Sequence, residues 1–135
     1  MFNLQVDIAT RGAQLLKPGG LMVYSTCSLD PVENEAVVAE LIRTCPWMEL
    51  VEIDDSKVDG LLWHQGLTDW HPLDEEGNIP HDANDVPLLD PRHLPPKEKE
   101  LLEALPNTRR LYPHDNDTGG SVSYTHLTLP TTPYV

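Results

Sequence analysis

The sequence predicts an α/β fold of the doubly wound kind, and three observations carry that reading. A helical repeat over residues 2–16 is followed by an apolar run without polar alternation at Leu21–Tyr24. A second helical repeat from Asp30 is followed by a partly alternating run over 48–53. The connections between them are short, and helix, strand, helix, strand in that rhythm builds a sheet flanked by helices. The 135 residues, 39% of them hydrophobic, suffice for one modest domain with a single core.

Each element has a local cause. In the first helix Leu4, Ile8, Leu15 and Leu16 recur near a 3.6-residue spacing, with small Ala9, Gly12 and Ala13 between them, and read as one buried face. Lys17-Pro18-Gly19-Gly20 stops it, because proline cannot continue a helix and glycine tolerates the positive φ of a C-terminal cap. The run Leu21, Met22, Val23, Tyr24 fits a strand covered on both faces. The second helix starts with Asp30 as N-cap, Pro31 at the first helical position, and Glu33 placed to reach back to the cap N–H. Ala36, Val37, Val38, Leu41 and Ile42 are its apolar stripe, Cys45-Pro46 closes it, and Met48–Ile53 is the second strand.

After Asp54 the texture changes, with eight of the thirteen prolines between Pro72 and Pro113. Leu73–Ile79 reads as a hairpin tip with Gly77 in the left-handed position, and Pro96–Leu105 as a short helix with Leu101, Leu102 and Leu105 on one side. Residues 121–135 contain no Asp, Glu, Lys or Arg, and Val122–Thr131 can be back-translated to a stretch that resembles a transposase-end adapter used in sequencing libraries. The domain is therefore set at 1–120, with an irregular Pro-rich insert over 54–113, and 121–135 is read as an adapter-derived tail. The competing reading is a genuine Thr-rich terminal strand.

Charge and composition narrow the function. Twenty-two acidic residues against nine basic ones give a net charge of -13. That balance argues against a nucleic-acid surface, since phosphate binding needs clustered Lys and Arg, so any RNA reading needs basic surface supplied elsewhere. Asp7, Arg11 and Lys17 interrupt the N-terminal apolar residues, so no signal peptide is read there, and nowhere do about 18 apolar residues run together. The expected setting is soluble and intracellular, with Cys27 and Cys45 reduced and no disulfide.

Cys27 is the first candidate for chemistry. It lies at the carboxyl end of the Leu21–Tyr24 strand, where open α/β sheets bind ligands, and the helix that follows points its N–H groups back toward the loop. The alternative is an inert buried thiol, cysteine being among the most buried residue types. Cys45 has no activating neighbour in sequence and reads as filler. His64, His71, His81, His93 and His114 are irregularly spaced, so no metal site is expected. Trp47, Trp63 and Trp70 read as core anchors rather than base-stacking platforms. Ser25 and Ser28 lack the G-x-S-x-G setting of a hydrolase elbow. The cluster Arg109-Arg110-Leu111-Tyr112-Pro113-His114 reads by composition as a solvated turn with a little phosphate affinity.

Taken together, I-A-T-R-G at 8–12, G-G-L-M-V-Y-S-T-C-S at 19–28 and D-P-V-E-N-E-A-V-V at 30–38 resemble the Sun-domain (Nop/Sun, RsmB-type) family of RNA cytosine-C5 methyltransferases. The similarity continues through L-V-E-I at 50–53, the stretch around Trp63 and R-L-Y-P-H-D-N-D-T-G-G at 110–120, and the Trp-containing insert resembles that of the eukaryotic tRNA-methylating branch. The resemblance implies the C-terminal part of a Rossmann-like, S-adenosylmethionine-dependent methyltransferase sheet. It places the family's T-C cysteine on Cys27, whose thiolate adds to C6 of a cytosine. It also puts Thr26, Arg110 and His114 near the substrate, names RNA (tRNA above all) as partner, and suggests the nucleus. The family's glycine-rich cofactor loop, its acidic ribose residue and the second cysteine of its P-C motif have no counterpart here, so the cofactor site is expected upstream and the 135 residues alone are expected to be inactive. A reading of another class stays beside it: an acidic, non-catalytic interaction domain on the same fold.

Overall fold

The computed structural model describes residues 1–54, 56, 59–73, 76–79, 81, 83–85 and 90–117, and the backbone of 123–128. Helix α1 spans Phe2–Leu15, strand β1 Leu21–Ser25, helix α2 Glu35–Thr44 and strand β2 Glu49–Val51. These are the four elements expected, in the expected order. The insert adds strand β3 (His64–Gln65), helix α3 (Lys99–Ala104) and strand β4 (Arg109–Arg110), and helix α4 (Pro113–Asn116) and strand β5 (Ser123–Thr128) follow.

The first helix buries only part of the face expected of it, Ala9 and Ala13 with Leu16 packed beside them, and completes it with residues outside that set. Phe2, Val6, Ala9 and Ala13 point inward, while Leu4, Ile8 and Leu15 are 56%, 64% and 68% exposed. Both sets recur at helical spacing, and the smaller one wins because Ala9 and Ala13 let α1 approach Leu41, Cys45 and Met48 closely. Strand β1 differs in the same way. Met22 and Tyr24 pack on the core, but Leu21 and Val23 face outward, so the strand is covered on one face rather than two. Between α1 and β1 the turn Lys17–Gly20 closes through a Gly20 N–H to Lys17 carbonyl bond of 2.8 Å. Pro18 presets its first corner, and Gly19 at φ 78° takes its second.

Helix α2 is the centre of the core. Ala36, Val37, Val38 and Leu41 are fully buried, as the stripe predicts, with Phe2, Val6, Trp70 and Leu105 completing one cluster and Trp47 packing on the edge of the other. Its start is not a single continuous helix from Asp30. Pro31–Glu33 form a 3-10 turn, and α2 proper begins after Asn34, whose φ of -123° and ψ of -90° break the helix. Asp30 does cap, its carboxylate accepting the Val32 N–H at 2.9 Å. Glu33 does not complete a capping box: its carboxylate accepts from Gln5, and the Asp30 N–H donates to the Ser28 hydroxyl instead.

Sheet pairing centres on β5. One edge of β5 pairs antiparallel with β1, from Leu21 opposite Thr128 to Ser25 opposite Tyr124. The other edge pairs antiparallel with β2 over 126–128 and with β4 over 123–124, and β4 in turn pairs with β3. Strands β1 and β2 thus run the same way with β5 between them. Residues 123–128 lie in the stretch read as adapter-derived. In the insert, α3 presents Leu101 to the core as expected, followed by buried Leu105. Of the hairpin tip expected over 73–79, residues 74 and 75 lie outside the described residues, and Gly77 takes φ 83°.

Candidate active site

The loop that leaves β1 carries Thr26, Cys27 and Ser28, and Cys27 is exposed while Cys45 is fully buried. Burial pushes the Cys45 thiol up, which suits a packed and unreactive side chain. The two cysteines are thus separated by environment: one presented at the carboxyl end of a strand, one in the core.

The shape of the Cys27 loop is set by Asn34, a side chain with no solvent exposure. Its amide nitrogen donates to the carbonyls of Ser28 at 2.9 Å and Asp30 at 2.8 Å. Its amide oxygen accepts the Thr26 hydroxyl at 2.6 Å, and Thr26 in turn accepts the Ser28 N–H at 3.1 Å. One buried amide therefore gathers three points of the loop, Thr26, Ser28 and Asp30. Nearby, the Tyr24 hydroxyl donates to the Glu33 carbonyl at 2.7 Å. Burial first, and the Glu33 carboxylate second, push that phenol up, so it stays protonated.

A second buried group ties the loop to the far side of the sheet. Arg110 is 3% exposed and Glu35 0%, and the guanidinium forks onto the carboxylate through Nε and Nη2, both at 2.6 Å. The remaining terminal nitrogen of Arg110 donates to the Leu29 carbonyl at 3.0 Å. Glu35 also accepts the Leu67 N–H at 2.9 Å. Burial alone would lower the Arg110 pKa; the Glu35 hydrogen bonds and charge outweigh it, and the net shift is upward. Gly66, whose N–H donates to the Thr108 carbonyl at 3.1 Å, lies so close to Thr108 that a Cβ there would collide with its hydroxyl.

The Arg109–His114 segment is not the solvated turn its composition suggests. Arg109 and Arg110 form β4 and are buried, because Trp63 supplies a ring 3.5 Å beneath the Arg109 guanidinium and Glu35 neutralises Arg110. His114 is 77% exposed and stacks on Tyr112 with centroids 5.5 Å apart. His64 joins them, its ring 5.0 Å from Tyr112 and its Nε2 2.7 Å from Asp115. So Thr26 and Arg110 meet at the Cys27 loop, while the contacts of His114 are with Tyr112 and Asp115. Asn34 and Glu35 were missed by the sequence reading; their signal was an amide and a carboxylate abutting the unbroken run Ala36-Val37-Val38.

Elsewhere, a cleft of about 400 Å³ is lined by Glu40, Arg43, Pro91, Arg92 and Lys97 among others. Within it Arg43 pairs with Glu40 at 3.2 Å and with Glu98 at 2.6 Å, holding the Glu98 carboxyl down at about 2, while Arg92 pairs with Asp90 at its edge. Among the described residues no helix is long and apolar enough to cross a membrane, and no group of three metal-ligating side chains occurs.

The chain is similar to known proteins. The profile of the 16S rRNA methyltransferase RsmB/F family matches residues 1–124. The multisite-specific tRNA:(cytosine-C(5))-methyltransferase of Saccharomyces cerevisiae is 42% identical over 120 residues, covering 87% of this chain and 17% of its own length. The tRNA (cytosine(34)-C(5))-methyltransferase of Drosophila melanogaster is 36% identical over 128 residues, 89% of this chain and 17% of its own. The chain thus spans about a sixth of the length of these relatives. In three dimensions it is similar to a methyltransferase homolog protein from Pyrococcus horikoshii, with a TM-score of 0.59 and 26% identity over 93% of this chain and 30% of that one.

Proposed function

The chain belongs to the RsmB/F methyltransferase family, and from that premise we propose that it forms part of an S-adenosylmethionine-dependent RNA cytosine-C5 methyltransferase acting on tRNA, with Cys27 as nucleophile. The observation that carries the reading is the exposed Cys27 at the end of β1, on a loop shaped by a fully buried Asn34. A thiolate held there adds to C6 of an unstacked cytosine, which makes C5 electron-rich enough to take a methyl group; loss of the C5 proton to a base then expels the thiolate. S-adenosylmethionine supplies the methyl group. The family's glycine-rich cofactor loop and acidic ribose residue have no counterpart in this sequence, and on that ground we assign its binding to residues outside these 135. The basic surface for RNA is assigned there too, because Arg109 and Arg110 are buried and His114 is the exposed member of the substrate-side set. Thr26 and Arg110 serve that site by holding the loop. The nucleus as compartment, and an adapter origin for 121–135, belong to the same proposal; genomic sequence across the Gly120 codon tests the latter.

Two outcomes check this reading. In the longest natural reading frame that contains these residues, transfer of a labelled methyl group to tRNA is expected, and Cys27→Ala is expected to reduce it to background. The isolated 135-residue chain is expected to show no saturable binding of S-adenosylmethionine; saturable binding would refute the assignment of the cofactor site. The net charge of -13 favours a second reading, an acidic interaction domain without chemistry, which predicts a folded protein that transfers no methyl group under any condition.

A further inference from the structure

We infer that the buried Arg110–Glu35 pair is a positioning device for the Cys27 loop, and this rests on the reading of Cys27 as nucleophile. The pair joins three parts of the chain distant in sequence: the first residue of α2, the Leu67 amide of the insert, and β4. Its fork uses two nitrogens of Arg110 on Glu35 and leaves the third for the Leu29 carbonyl, two residues beyond Cys27. The Asn34 amide fixes the shape of the loop from within its own neighbourhood; Arg110 fixes where that shape sits against the sheet. Stability alone does not call for such a group, since a buried ion pair is commonly replaced by apolar side chains of similar volume at little or no cost. What apolar side chains cannot supply is the directed N–H to the Leu29 carbonyl, whose orientation the planar guanidinium dictates. A displacement of the nucleophile by even an ångström is enough to slow an addition step by about 100-fold.

The test is the double variant Glu35→Leu, Arg110→Met in the longest natural reading frame, compared with wild type in three measurements. Trapping of 5-azacytosine RNA is expected to slow by about 10- to 100-fold, while the Kd for unmodified tRNA stays within about twofold. Amide hydrogen exchange at Ser28 and Asp30 is expected to speed up at least about tenfold while Cys45, bonded to Leu41 in the last turn of α2, keeps its protection. If trapping in the variant matches wild type, or if Cys45 loses protection as fully as Ser28, the positioning role is overturned. A raised Kd with unchanged trapping at saturation would instead make Arg110 a substrate contact. If wild type forms no adduct, the nucleophile reading has failed, and the exchange experiment still decides whether the pair orders the loop. Should the double variant not fold, Arg110→Lys serves: it keeps the charge, loses the fork, and is expected to show the same split between rate and Kd.

Discussion

Arg110→Ala is expected to destabilise the protein by about 3–5 kcal/mol, read as a lowered midpoint of denaturant unfolding with an unchanged slope. The magnitude follows from what the substitution leaves behind. Glu35 has no solvent exposure, and without Arg110 its carboxylate keeps the Leu67 N–H as partner but loses both charge-assisted bonds. Water cannot replace them without opening the contact between α2 and the insert. Glu35→Ala is expected to cost a similar amount, because it strands the guanidinium instead. Removing the Lys99–Glu103 pair, 3.8 Å apart on the surface of α3, is expected to change stability within experimental error. A loss below about 1 kcal/mol for Arg110→Ala would show that the pair is solvated in solution.

Asn34→Ala is expected to slow covalent trapping of 5-azacytosine RNA by about 10- to 100-fold, and to cost about 1–3 kcal/mol in stability. The stability term is moderate because the carbonyls it abandons keep second partners: Asp30 still accepts the Glu33 N–H, and Ser28 lies 3.3 Å from the Thr26 hydroxyl. The kinetic term is larger because the Asn34 side chain is what holds Thr26, Ser28 and Asp30 in one arrangement around Cys27. Stopped-time trapping at saturating RNA separates the two, and a rate equal to wild type would remove Asn34 from the account.

The order of elements was legible because each carries its own local signal: proline stops, an aspartate cap, an unbroken apolar stripe in α2. Faces were harder. On α1 two sets of residues, Leu4, Ile8, Leu15 and Phe2, Val6, Ala9, Ala13, have equally good helical spacing, and the choice between them is made by close packing against α2 and β2 rather than by the helix itself. The same holds for β1, where apolar Leu21 and Val23 remain outward. Cys27 could be picked out by its place at a strand end and by the T-C-S and D-P-V-E-N-E motifs around it. Arg110 could not be placed, because its partner lies 75 residues away and a two-residue strand gives no periodicity to read. Nor could Asn34, since an asparagine within a helical pattern looks like a surface residue until the loop it clamps is built around it.

The most direct measurement is the identity of the residue that carries the pyrimidine. RNA containing 5-azacytosine is trapped on the protein in its longest natural reading frame, both are digested, and the cross-linked peptide is sequenced by mass spectrometry. The account predicts the adduct on Cys27, within the peptide that runs from Gly19 through Asp30, and none in Cys27→Ala. An adduct on Cys45, or on a cysteine outside residues 1–135, would contradict it.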